Sequence, residues 1–360
     1  MIRSVTALTA VALAVGLGLG QAPVFAQDMG EVVVASWGGS FQDAQRKAIF
    51  KPFEEATGIK VIEATGPSLA KVRAMVESGN TEWDVTGMTP GDLLVLARDG
   101  LVEKLDYDNY FKGEMFDLPD NAFHPYGIGD FYYSKVIGFN TDVYPKDGTH
   151  PQSWADVWDV EKFPGPRMID EGGYIIPPLE YALMADGVPP DQLYPLDMER
   201  AYRSLAKIKP HVAKFATKAA MPPQALVAQE VVIAASTLGR LVRLKEDGAP
   251  VDFVWNQGLM QHDYWIIPKG AKNYENAMKF IEFAMNPESQ AGLAKLQPLG
   301  PLNAKAFELL SEERARILPS HPDNLKHQVL LNAEFWASVG PDGKSNIEKN
   351  MEMWNEFSLQ

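Results

Sequence analysis

Residues 31–58 read EVVVASWGGSFQDAQRKAIFKPFEEATG, and the reading of this stretch decides the fold. Glu31–Ser36 is a short apolar, β-branched run without polar alternation, the pattern of a strand buried on both faces. Trp37-Gly38-Gly39-Ser40 is a turn. From Phe41 to Thr57 the apolar residues Ala44, Ala48, Ile49 and Phe53 recur at helical spacing, and Gly58 stops the helix. A buried strand that feeds directly into an amphipathic helix begins a parallel sheet covered by helices.

Toward the C-terminus the alternation continues. Lys60–Ala64 and Trp83–Met88 are further strands, Ser68–Ser78 and Pro90–Asp99 are helices, and Leu101–Leu105 is a short strand. Phe131–Phe139 is a longer strand ended by the turn Asn140-Thr141-Asp142. After a stretch rich in Gly and Pro, a second αβ pattern begins near Pro178. It has helices at Leu179–Asp186, Met198–Lys207, Pro222–Gln229 and Leu238–Asp247, and strands at Val231–Ala235, Asp252–Trp255 and Asp263–Pro268. Helices at Tyr274–Asn286 and Pro287–Leu296 precede a mostly helical tail. No linker joins the two patterns, which predicts strands crossing between two lobes at Phe131–Phe139 and Asp263–Pro268.

Toward the N-terminus, Met1–Ala26 has the form of a secretory leader. Arg3 opens it, Val5–Leu19 is apolar and uncharged, and Val24-Phe25-Ala26 offers small residues before a cleavage point after Ala26. The apolar run is about 15 residues, short of the roughly 20 that a bilayer requires. The expected product is an exported protein, periplasmic in a Gram-negative cell.

The 360 residues carry 33 Lys+Arg and 47 Asp+Glu, a net charge of −14, which argues against nucleic acid or an anionic membrane as the main partner. The absence of cysteine excludes disulfides, Cys-ligated metal centres and thiol nucleophiles. No G-x-S-x-G elbow and no H-E-x-x-H occurs, and Gly343-Lys344-Ser345 has serine where a phosphate loop needs its first glycine. The expectation is a protein that is not an enzyme and takes no cofactor. Tyr132-Tyr133 is the one metal-like feature, compatible with ferric ion, but neighbours on a strand point to opposite faces, so one of the two belongs to a core.

In an open α/β sheet, ligands sit beyond the carboxyl ends of the strands. There the chain places Trp37, Gly39 and Ser40, and then Met88 in Gly87-Met88-Thr89. Glycines let backbone N–H groups approach a ligand, although Gly38-Gly39 also reads as a tight turn alone, and Trp37 as either ligand wall or packing. In the second pattern Glu171, Tyr174, Arg240, Trp255, Asp263 and Tyr264 stand out. Aromatic faces attract cations, carboxylates pair with ammonium groups, and Arg240 suits a ligand carboxylate. Arg240 is equally readable as a surface residue, Asp263 as a turn cap, and Trp255 as core.

Four segments resemble a known family: SWGGSFQDAQRKAIFKPF (36–53), YSKVIGFNTD (133–142), VWNQGL (254–259) and DYWIIPKG (263–270). They are similar to the periplasmic solute-binding proteins of ABC importers, family 1, in the spermidine/putrescine-type branch. The resemblance runs over nearly the whole mature chain. It implies a two-lobed type II fold with two crossing segments, hinge closure on a small molecule, and permease and ATPase partners for a monomeric binder. Lobe 1 is then expected at 27–137 and 268–360, lobe 2 at 138–267. Relatives bind polyamines or amino acids such as γ-aminobutyrate, and Trp37, Trp255, Asp263 and Tyr264 match positions that hold polyamines. The chain departs from many relatives at Ile169–Tyr174, where it is more acidic, and at Leu238-Gly239-Arg240. The acidic wall favours a small amine, polyamine or N-methylated; a zwitterionic ω-amino acid held by Arg240 and a carboxylate is the alternative.

Overall fold

In the computed structural model, residues 29–113, 115–173 and 177–360 are described, so the leader and Tyr174 lie outside the described residues. The strands are β1 (Glu31–Ser36), β2 (Lys60–Thr65), β3 (Val85–Met88), β4 (Phe123–His124), β5 (Gly127–Asn140), β6 (Arg167–Asp170), β7 (Val212–Ala216), β8 (Ile233–Thr237), β9 (Val251–Ile266), β10 (Gly300–Pro301) and β11 (Gln328–Leu330). Their main order is β2-β1-β3-β9-β5-β8-β6-β7. At one end β1 pairs in parallel with β2 and β3; at the other, β6 pairs in parallel with β7 and β8. β5 and β9 run antiparallel to each other through the middle and join the two halves.

Local chemistry sets the element ends. Gly58 adopts φ 72° and stops the first helical run. Within that run, Arg46–Phe50 is a π turn just ahead of Pro52, whose missing N–H deprives the preceding turn of a donor. Thr89 accepts from the Asp92 N–H ahead of helix Pro90–Arg98, with proline at its first position. Ser345 and Glu348 form a capping box on helix Asn346–Leu359.

One core gathers Val32, Val34, Phe50, Phe53, Trp265 and Phe280, and another gathers Phe139, Trp154, Tyr181 and Leu205. Ile128 and Trp265 of the crossing strands enter the first, while Ile137 and Leu259 enter the second. The crossing strands are therefore anchored on both sides.

Three expectations change. Leu101–Leu105 forms no strand, only an isolated bridge from Val102 to Pro268. Asp252–Trp255 and the residues from Asp263 to Ile266 are parts of one strand of 16 residues, β9, which ends before Ile267 and Pro268. The tail, expected with lobe 1, returns to the other side: Trp336, Trp354 and Phe357 are buried in the core of Tyr181 and Leu205. Polar contacts hold it there, with Asn350 Nδ2 donating to the Gly172 carbonyl at 2.6 Å and Tyr202 Oη to Asn350 Oδ1 at 2.8 Å. Large apolar side chains go where a core can bury them, whatever their place in the chain. No helix among the described residues is long and apolar enough to cross a membrane.

Candidate functional site in the cleft

A cavity of about 460 Å³ opens where the crossing strands meet the strand ends of both halves. Trp37 and Ser40 reach it from the turn after β1, Thr89 from the turn after β3, and Tyr133 and Lys135 from β5. Asp263 reaches it from β9; Thr237, Arg240 and Arg243 come from the end of β8 and the helix Leu238–Glu246. Asp247, Gln297 and the apolar Phe41, Phe131, Pro223 and Leu299 also line it.

Asp263 is 6% exposed, and its Oδ1 has no hydrogen-bond partner. Burial pushes its carboxyl up to about 7; hydrogen bonds from Tyr133 and Trp37 pull the other way, and the charge of Asp92 adds to the rise. Asp130, on the neighbouring strand β5, is held well above the carboxylate range by burial and by the charge of Asp263. Thr237 Oγ1 also lacks a partner, and it stands at the N-terminus of Leu238–Glu246, where backbone N–H groups point out. The cavity is thus lined on one element by a carboxylate with a buried, unpartnered oxygen. On another it has a hydroxyl, a helix N-terminus and two arginines.

Lys135 and Asp170 form a buried ion pair, Nζ to Oδ1 at 2.6 Å. Burial lowers the lysine and raises the aspartate, so each charge depends on the other. A second cavity of about 490 Å³ adjoins the first. Thr89 lines both, and Gln261 of the second donates from Nε2 to the Tyr133 hydroxyl of the first. Its other walls include Asp92, Gly172, Gly173 and Trp336.

Of the residues singled out in the sequence, Trp37, Ser40, Tyr133, Arg240 and Asp263 meet in the first cavity. Met88 does not line it, because its side chain is fully buried beside Leu93 and Leu96. Tyr264 packs edge-on against His262, with its hydroxyl toward the Asn121 carbonyl. Trp255 stacks edge-on with Phe253 over the core of Leu238 and Leu241. Gly39, at φ 57°, shapes the turn between two lining residues without facing the cavity itself. Glu171 donates its N–H to Ala216 and precedes the glycines of the second cavity. Tyr132 is the core member of the tyrosine pair, its hydroxyl donating to Asn121. Lys135, Thr237 and Arg243 escaped the sequence reading; only Thr237 carried a signal, as a hydroxyl residue just before a helix start. Among the described residues no three His, Asp or Glu come together to hold a metal.

Residues 48–316 match the family described as bacterial extracellular solute-binding protein. The chain belongs to that family. Solute-binding proteins are non-enzymatic, and this one is the substrate-binding component of an ABC importer. It is 34% identical to a gamma-aminobutyric acid-binding protein of Pseudomonas aeruginosa, covering 90% of each chain. It is 27% identical to the spermidine/putrescine-binding periplasmic protein of Escherichia coli, covering 90% of this chain and 91% of that one. An ABC transporter substrate-binding protein from Bradyrhizobium japonicum superimposes with TM-score 0.83 at 38% identity, over 91% of this chain and 99% of the other. The architecture is the two-lobed type II binding fold.

Proposed function

We propose that this solute-binding protein takes a zwitterionic ω-amino acid, of which γ-aminobutyrate is the type. One observation carries the reading: the unpartnered, buried Asp263 Oδ1 shares a cavity with Thr237 Oγ1, Arg240 and Arg243. An ammonium group on Asp263 makes a charge-assisted hydrogen bond where water is scarce, with the face of Trp37 alongside. A carboxylate at the other end meets the helix N-terminus, the Thr237 hydroxyl and the Arg240 fork. The γ-aminobutyric acid-binding relative supports this choice.

The second reading, a diamine, polyamine or N-methylated amine, draws support from the spermidine/putrescine-binding relative and from Asp263. It leaves both arginines without a ligand partner. Ferric ion has no supporting ligand cluster among the described residues. Export to the periplasm by the leader, cleavage after Ala26, hinge closure about β5 and β9, and delivery to a permease and ATPase belong to the same proposal. So do lobe limits near residues 137 and 267, with the last helices docked on lobe 2.

Calorimetric titration with γ-aminobutyrate, putrescine and spermidine tests the choice. The expected result is saturable heat from γ-aminobutyrate alone. Heat from the diamines with none from γ-aminobutyrate would overturn it in favour of the amine reading.

A further inference from the structure

Buried carboxylates stand on strands to both sides of β5, Asp263 on β9 and Asp170 on β6, yet of these two only Asp263 lines the cavity. Asp263 lines the space and keeps Oδ1 unpartnered. Asp170 is 1% exposed and does not line it. Its Oδ1 accepts from Lys135 at 2.6 Å, and its Oδ2 from the Tyr181 hydroxyl at 3.4 Å. Lys135, which holds Asp170, does line the cavity.

We infer that Lys135 sets the charge class of the ligand: by occupying Asp170 it leaves Asp263 as the one buried carboxylate available for an ammonium group, so the cavity admits ω-amino acids and rejects diamines. This rests on the reading above and deepens it. A buried carboxylate must have a cationic partner or take up a proton. A lysine tethered to β5, two strands from Asp170, is always present, so a dissolved ammonium group competes against an intramolecular one. With Asp170 neutralised, the charges facing the ligand are Arg240, Arg243, Asp247 and Asp263, a set that balances a zwitterion; Asp247 caps the helix that carries both arginines, so a second ammonium near it meets Arg243 one turn away. Removing the Lys135 ammonium vacates a position 2.6 Å from Asp170 Oδ1, where a ligand ammonium takes its place.

The test titrates wild type, Lys135→Met, Asp170→Asn and the double variant with γ-aminobutyrate, with 1,4-, 1,5- and 1,6-diamines, and with glutarate. Far-ultraviolet dichroism and a cooperative melt establish folding. Wild type is expected to bind γ-aminobutyrate and none of the diamines. Lys135→Met is expected to gain at least about tenfold for one of the diamines, and the double variant to lose that gain because the carboxylate is gone. Asp170→Asn, which leaves the lysine charge uncompensated, is expected to gain about tenfold for glutarate. A folded Lys135→Met without any diamine gain overturns the inference. If that variant does not fold, Asp170→Asn without a glutarate gain overturns it. A wild type that binds diamines as well as γ-aminobutyrate also overturns the inference, whereas one that fails to bind γ-aminobutyrate sinks the ω-amino acid reading itself.

Discussion

The indole of Trp37 lies across the backbone of Gly87, its Nε1 3.3 Å from the point that a Cβ on residue 87 would occupy. Trp37 is 40% exposed and lines the cavity that Asp263 also lines. A side chain at 87 must push the ring aside. Gly87→Ala is therefore expected to weaken binding of an ammonium ligand several-fold without unfolding the protein. Trp37→Ala should cost more, about 1–2 kcal/mol if the ring face contacts the ammonium. Calorimetry on both variants checks this, and an unchanged affinity in Trp37→Ala removes the ring from the site.

Asp263 makes affinity depend on pH. In the unliganded fold its carboxyl is pushed up to about 7 by burial, against an ordinary value of 3.8. Between those values the folded state holds a proton that the unfolded chain has released, so stability from this group falls as pH rises toward 7. An ammonium ligand needs the ionised form. Its affinity should therefore climb about tenfold per pH unit below 7 and level off above it. His262, lowered to about 4 by burial, stays neutral over this range. Titrations from about pH 5.5 to 8.5 should show this curve in wild type and a flat, weak one in Asp263→Asn. A flat curve in wild type means that Asp263 does not meet the ligand.

Arg240 separates the two ligand classes. Its fork serves a carboxylate and repels a second ammonium. Arg240→Gln is expected to weaken γ-aminobutyrate by about 1.5–3 kcal/mol, the range for hydrogen bonds to charged groups. Neutral and purely cationic probes should not weaken. Equal loss for γ-aminobutyrate and its amide would show that Arg240 acts through the fold alone.

The tail contributes stability through a small number of contacts. Trp354 is 7% exposed, stacks edge-on with Phe215 and covers Gly172 so closely that a Cβ there would lie 2.7 Å from the ring. Glu180 Oε1 accepts from Trp336 Nε1 at 2.8 Å and from Tyr194 Oη at 2.7 Å, which ties the tail to helix Leu179–Ala185. Trp354→Ala should cost about 3–5 kcal/mol in denaturant unfolding. Glu180→Gln should cost less, because an amide oxygen still accepts both bonds. A Trp354→Ala loss below about 1 kcal/mol would mean that the tail is not part of that core.

The first half of the sheet was legible because its strands are uninterrupted apolar runs bounded by glycine or proline. β6 and β7 were not. Arg167–Asp170 is four residues long and follows Gly165-Pro166, and Val212–Ala216 carries Lys214 with only Ala216 fully buried. Their strand geometry comes from pairing with each other and with β8, which no local pattern encodes. Asn256-Gln257-Gly258 resembles a chain reversal, yet β9 runs through it. Gln257 takes φ 61° and is clamped by Trp154, whose backbone N–H donates to its Oε1 and whose Nε1 donates to its carbonyl, both at 2.9 Å.

The residue sequence by itself determined the alternation of strand and helix, the two lobes with crossing strands, the missing catalytic and cysteine chemistry, and the turns that carry Trp37 and Ser40. These are local consequences of side-chain periodicity, glycine and proline. Only the tertiary structure decided which acidic residue faces a ligand. Asp170 and Asp263 are the same chemical group near a strand end, but Asp170 meets a lysine 35 positions away while Asp263 keeps an oxygen without a partner. The charge state and availability of a buried group are set by partners that folding brings to it, and those partners lie far apart in the chain.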